Sequence, residues 1–137
     1  MNKLIFYLVF LMTGFINGQK VTLTIQTNGF KNNDGKVRVG VYNSEGHFLN
    51  ETFMNTAAEI KNGKATVVFK EVPVGTYAVS IYHDENNSGV LERGMFGIPK
   101  EDTACSNNAK GKMGPPKYED AKFKLTADQT IEITLNK

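Results

Sequence analysis

From Lys20 onward the chain repeats with a period of two, and this pattern limits what it can fold into. Val21, Leu23 and Ile25 alternate with Thr22, Thr24 and Gln26. Successive side chains of a strand point to opposite faces, so this spacing makes one apolar and one polar face and calls for a second layer to cover the apolar one. The same alternation recurs in Val37, Val39 and Val41; in Ala65, Val67 and Phe69; in Tyr77, Val79 and Ile81; in Ala121, Phe123 and Leu125; and in Ile131, Ile133 and Leu135. Asn28-Gly29, Asp34-Gly35, Asn62-Gly63 and the Pro73 to Gly75 stretch supply turn chemistry between these runs. No segment holds a helical period across three turns. The pattern predicts an all-β, antiparallel β-sandwich of about seven strands. Six strands come from the alternation, and the seventh is expected near residues 95–98. Residues 44–59 are mixed, with Phe48, Leu49 and Phe53 reading as apolar plugs on a loop or short helical turn.

The N-terminus has a different grammar. Lys3 precedes an unbroken apolar run at residues 4–12 (LIFYLVFLM), followed by Thr13-Gly14-Phe15-Ile16 and the small Gly18. Charge, apolar run and small residue are the parts of a signal peptide, and the run falls short of the roughly 20 residues that span a bilayer. Residues 1–18 are therefore expected to be removed, leaving a domain of residues 19–137 secreted or periplasmic in the cell envelope. A retained membrane anchor is the alternative. No cysteine follows the run to carry a lipid, so no stable anchor is expected after cleavage. The single cysteine, Cys105, has no partner for an intrachain disulfide. The formal charge is +2, and loss of Lys3 leaves +1, which argues against nucleic acid as a partner.

Between residues 83 and 120 the alternation stops. A connection of that length in a small domain is usually functional or disordered, and Val90, Leu91, Met95, Phe96, Ile98, Met113 and Tyr118 make it too apolar for a solvated tail. Its opening places side-chain oxygens at alternate positions, Asp84, Asn86 and Ser88. Gly89 follows for a sharp turn, Val90 can offer its backbone carbonyl, and Glu92 comes two residues later. A hard cation takes six to eight oxygens, and a tightly curled loop with this spacing is the first three quarters of an EF-hand calcium loop. The twelfth position, where a bidentate Glu belongs, is Met95, and the flanks are not helices. The expected metal set is thus Asp84, Asn86, Ser88, Val90 and Glu92, binding Ca2+ weakly, with Glu101, Asp102 or Asp120 as further oxygens. The competing reading is an Asx-rich turn whose side chains cap their own backbone.

Other groupings are weaker. Adjacent strand residues face opposite ways, so Asp84 is poorly placed to orient His83 as a base for Cys105. Two histidines and one cysteine are too few for a zinc site. Tyr77, Tyr82 and Tyr118 fit core packing better than a sugar-stacking platform. No residue is assigned a catalytic role.

Four blocks then occur in order: Gly75-Thr76-Tyr77-Ala78-Val79 leading to His83-Asp84-Glu85-Asn86, then Phe96-Gly97-Ile98-Pro99-Lys100-Glu101, then Ser106-Asn107-Asn108, then residues 114–121 (GPPKYEDA). With these blocks the chain resembles the exported bacterial family catalogued as "domain of unknown function 2141", from about Val21 to Leu135. The resemblance implies an immunoglobulin-like or transthyretin-like sandwich of the envelope, with no assigned activity. The chain departs from that pattern at Leu91-Glu92, where members often read Leu-Asp. It departs again at Thr103-Ala104-Cys105, where an aromatic-containing triplet is common. Two functional readings follow. One is a non-enzymatic binding or structural module for an unknown envelope or extracellular ligand, with residues 83–120 as its working face. The other is a carboxylate-based hydrolase acting on glycans or other envelope substrates. In a third, the long segment only covers a sheet edge.

Overall fold

The computed structural model describes residues 18–135. The expected signal peptide, apart from Gly18, lies outside the described residues. Eight strands follow in order: β1 (Lys20–Asn28), β2 (Lys36–Tyr42), β3 (Met54–Glu59), β4 (Lys64–Pro73), β5 (Gly75–Asp84), β6 (Thr103–Cys105), β7 (Phe123–Leu125) and β8 (Gln129–Thr134). One short helix, α1 (Tyr118–Ala121), precedes β7. Every described strand begins at Lys20 or later, so a chain starting at Gln19 retains the whole sandwich.

The strands form two sheets. The smaller has the order β4-β1-β8; the larger has the order β3-β2-β5-β6, with β7 pairing β5 beside β6. All pairings are antiparallel except one: β1 and β8 run parallel, Leu23 opposite Gln129 through Asn28 opposite Thr134. The alternation read from the sequence sets the core. Leu23 and Ile25 of β1, Val67 and Phe69 of β4, Val37, Val39 and Val41 of β2, Val79 and Ile81 of β5, Leu125 and Ile133 are all buried in one cluster between the sheets. Each large aliphatic side chain so buried contributes about 1.5–3 kcal/mol relative to exposure. At the β1–β2 turn Gly35 has φ +64°, and a Cβ there would overlap the Asp84 carbonyl oxygen, so only glycine fits.

Two strands lie where the alternation does not mark them. β3 falls inside the mixed 44–59 stretch, as an edge strand whose side chains Met54 and Ala58 are only partly buried. The expected strand at residues 95–98 is instead a turn, and the extra strand in the long segment is β6, eight residues later. The apolar plugs do pack: Phe48 meets Tyr42 and Tyr118 edge-on at 5.4 and 5.7 Å. Phe53 stacks on Tyr77 at 6.0 Å.

The long segment covers a sheet face. β5 is buried on both sides over Ala78, Val79, Ile81, His83 and Asp84, a pattern left by a second layer over its outer surface. Ser106 holds that layer down. β7 pairs with Gly75 to Tyr77 and β6 with Ser80 to Tyr82, leaving a gap at Val79. There the Ser106 hydroxyl accepts from the Val79 N–H at 2.9 Å and donates to the Ala121 carbonyl at 2.6 Å. Asn107 then donates its side-chain amide to the carbonyls of Asp120 and Lys122, at 3.1 and 2.9 Å.

Candidate functional site

Two features stand on the outer face of the larger sheet. The first is a charge centre at the end of β5. Arg38 on β2 is opposite Tyr82, and Asp84 is two residues further along β5 on the same face, a diagonal neighbour. Arg38 Nε donates to Asp84 Oδ2 at 2.6 Å, and the Asp84 side chain is fully buried. The following loop curls back to complete the cradle. Gly89 N–H donates to Asp84 Oδ2 at 2.9 Å, and Ser88 N–H donates to Oδ1 at 2.9 Å. Ser88 Oγ lies 3.3 Å from Oδ1. Burial alone would raise the Asp84 pKa, but the Arg38 bond, the Gly89 and Ser88 amides and the guanidinium charge outweigh it, and the net shift is downward.

The structure brings the five expected metal residues into one loop, with their polar groups turned on one another. Asp84 accepts from the cradle. Asn86 donates its amide to Glu92 Oε1 and accepts from Ser88 N–H at 3.3 Å. Ser88 Oγ donates to the Val90 carbonyl at 3.0 Å. A guanidinium and backbone amides therefore surround the carboxylate that would have to lead a calcium sphere. This arrangement does not fit a bound calcium ion unless Arg38 moves. The other proposed oxygens, Glu101, Asp102 and Asp120, do not join the loop's hydrogen bonds to Asp84, although Glu101 accepts from Glu92 N–H at 3.4 Å. Among the described residues no three His, Cys, Asp or Glu side chains form a metal-holding group.

Sequence reasoning missed Arg38. On β2 it alternates with Val37 and Val39 and reads as a solvent-facing residue; only the pairing of β2 with β5 gives it a buried partner.

His83 and Asp84 face opposite ways, as strand geometry requires. His83 enters the core, edge-on to Phe30 at 5.2 Å, with Nε2 2.7 Å from the Asp34 carbonyl and Nδ1 buried without a hydrogen-bond partner. Cys105 is buried against Ala78 and Ala121, and burial pushes its thiol up, the opposite of what a nucleophile needs. Tyr77 turns inward, Tyr82 outward and Tyr118 packs on Phe48, so the three form no common platform.

The second feature is a cleft of about 960 Å³ over β3, β2, β5 and β6. Its floor is made by small side chains, Gly40, Ala57, Ser80 and Thr103, with Tyr42 and Tyr82 beside them. The long segment supplies the walls through Leu91, Arg93, Phe96, Ile98, Pro99 and Pro115. The charged lining residues are Arg38 and Arg93; no Asp, Glu or His lines the cleft among the described residues. Its volume lies in the range of small-molecule sites.

Residues 25–134 match the family described as "Uncharacterized protein conserved in bacteria (DUF2141)". The chain belongs to this family. The match runs from the second half of β1 to the end of β8, including the Asp84 cradle, the cleft walls and the Ser106 clamp of this DUF2141 protein. No curated protein matches the chain, and no solved structure matches it.

Proposed function

We propose that this DUF2141 protein is exported and serves as a non-enzymatic binding module, its ligand held in the cleft on the outer face of the larger sheet. The observation that carries this reading is the cleft lining: two arginines, two tyrosines and a run of apolar side chains, with no carboxylate or imidazole among the described residues. General acid–base hydrolysis of a glycan needs two carboxylates facing one another across the bond to be broken. The lining supplies recognition instead: an anionic group to meet Arg93 and the outer edge of Arg38, and an apolar or aromatic body to lie between Tyr82, Ile98 and Pro115. Arg38 is steadied by Asp84 and by Asn87 Oδ1, which accepts from its Nη2 at 3.2 Å. The N-terminal charge, apolar run and Gly18 support export.

The test is a thermal-shift series with aliphatic and aromatic carboxylates on the wild type and on Ser80→Trp, which fills the floor of the cleft. A ligand at a hundredfold excess over Kd stabilises the wild type by about 2.7 kcal/mol and leaves the filled variant unmoved. Equal shifts in both proteins would place binding elsewhere. Hydrolysis of a chromogenic glycoside, lost in Glu101→Gln, would replace the binding reading with the enzymatic one.

A further inference from the structure

The wall of the cleft ends in an unusual turn. Arg93 and Pro99 form an antiparallel bridge, Gly94 N–H donates to the Ile98 carbonyl at 2.7 Å, and Ile98 N–H donates to the Met95 carbonyl at 3.3 Å. The two residues at the tip are both left-handed, Phe96 at φ 60°, ψ 21° and Gly97 at φ 70°. This is a two-residue hairpin turn of the type that prefers Asn-Gly or Gly-Gly. Here an aromatic residue takes the first position, where a bulky side chain is disfavoured. Phe96 gains no packing in exchange: it is 94% exposed, beside Met95 at 80%. Ile98 and Val90 are exposed nearby in sequence, and Met113, exposed as well, precedes the cleft-lining Gly114 and Pro115 in the chain. Strain kept for an apolar side chain in water points to a partner outside the chain.

The charges around the tip identify that partner. Arg93 reaches along the hairpin to donate from Nη1 to the Gly97 carbonyl at 2.9 Å, which sets a guanidinium beside Phe96. The Lys100 stem runs along the opposite strand, within 3.6 Å of where a Gly94 side chain would begin. Residues 93–117 hold five basic residues and two acidic ones, and the stretch 103–117, which carries Met113, holds three lysines and no acid. One of the two acids, Glu101, accepts from Glu92 N–H at the base of the hairpin, away from the tip. An exposed apolar tip with a guanidinium beside it and a lysine on the same hairpin fits the boundary between anionic headgroups and acyl chains. We propose that the Phe96 hairpin docks this protein peripherally on an anionic lipid surface. No helix among the described residues is long and apolar enough to cross a membrane, so the contact is one of insertion at the interface.

The experiment is vesicle flotation with the chain from Gln19 onward, using equimolar phosphatidylglycerol and phosphatidylcholine against phosphatidylcholine alone. The wild type should float with the anionic vesicles, release as salt rises, and stay unbound on the neutral ones. Phe96→Gly is the decisive variant, because glycine accepts the turn without strain: its melting temperature should hold or rise while its affinity for anionic vesicles falls at least about tenfold. Ser80→Trp should bind vesicles like the wild type, which separates lipid docking from ligand capture in the cleft. Absence of wild-type binding, equal binding to neutral vesicles, full binding by Phe96→Gly or loss of binding in Ser80→Trp would each overturn the proposal. The first of these outcomes would leave a protein partner as the occupant of the tip.

Discussion

Arg38 Nε and Asp84 Oδ2 are 2.6 Å apart across neighbouring strands, and the carboxylate has no exposed surface while the arginine side chain keeps 29% of its own. The pair is therefore one-sided. Asp84 depends on its partner to be charged in the interior, whereas Arg38 can be hydrated from the cleft. Breaking such a pair leaves an uncompensated buried charge.

Arg38→Met should cost about 3 kcal/mol in urea unfolding at neutral pH, the low end for a broken buried pair because the Gly89 and Ser88 amides remain. Adding Asp84→Asn to that variant should return part of the loss, since it removes the stranded charge. A cost under about 0.5 kcal/mol for Arg38→Met, the level of an ordinary surface change, would mean that the loop amides alone hold the carboxylate.

The same pair sets the response to acid. The folded pKa of Asp84 is lowered, so its contribution is fully present above the unfolded aspartate range and is lost as pH falls through the folded value. Glu85 acts in the same direction, lowered chiefly by its bond from Lys31 at 2.9 Å. Glu101 runs the other way: burial raises its pKa, so its charge at neutral pH costs stability that returns as it protonates. The stability gap between wild type and Arg38→Met should therefore narrow as pH falls, first as the unpaired Asp84 of the variant takes up its proton and then as the wild-type carboxylate is protonated below the ordinary aspartate range. Calorimetry across that range checks it. A gap that stays constant would show that the Asp84 charge is not what Arg38 supports.

Calcium gives a third measurement. Arg38 and the loop amides already bond both oxygens of Asp84, and Asn86, Ser88 and Glu92 bond within the loop. Millimolar calcium should leave the wild-type melting temperature unmoved. A rise of several degrees, abolished by Asp84→Ala, would mean that the ion displaces the guanidinium and rebuilds the loop around Asp84, Asn86, Ser88, Val90 and Glu92.

Much of the fold was legible because burial on one face leaves a period of two in the chain, and the six marked strands all lie where that period runs. β3 was hidden because an edge strand with half-buried Met54 and Ala58 has little to alternate. β6 was hidden because Thr103-Ala104-Cys105 shows no polar–apolar alternation, with Ala104 and Cys105 both buried. The turn at Phe96 misled for a physical reason: the apolar residues at 95–98 read as a strand, while two left-handed residues at the tip make a turn that leaves Met95, Phe96 and Ile98 exposed. The spacing of Asp84, Asn86 and Ser88 marked a loop that closes on itself, but oxygens spaced for a cation also suit amide donors. Which of the two faces Asp84 depends on Arg38, 46 residues away, and no local pattern carries that pairing.

Ser106 offers the last test, because its hydroxyl does the work of a missing piece of strand. β7 and β6 together leave Val79 unpaired on that edge of β5, in a region where water does not reach. The hydroxyl satisfies the Val79 N–H and the Ala121 carbonyl at once, joining the sheet to α1. Ser106→Ala keeps the side-chain volume nearly constant but strands one buried donor and one buried acceptor, each costing about 1–3 kcal/mol when unsatisfied. The expected loss is about 2–4 kcal/mol, seen as a melting temperature lower by many degrees. Asn107→Gly removes two bonds at an exposed position, where water replaces them, and accepts the left-handed backbone at φ 58°, so it should cost about 1 kcal/mol or less. If the two variants proved equally mild, the long segment would be held to the sheet by its apolar contacts, Phe48 and Tyr118 foremost, and the hydroxyl would be incidental.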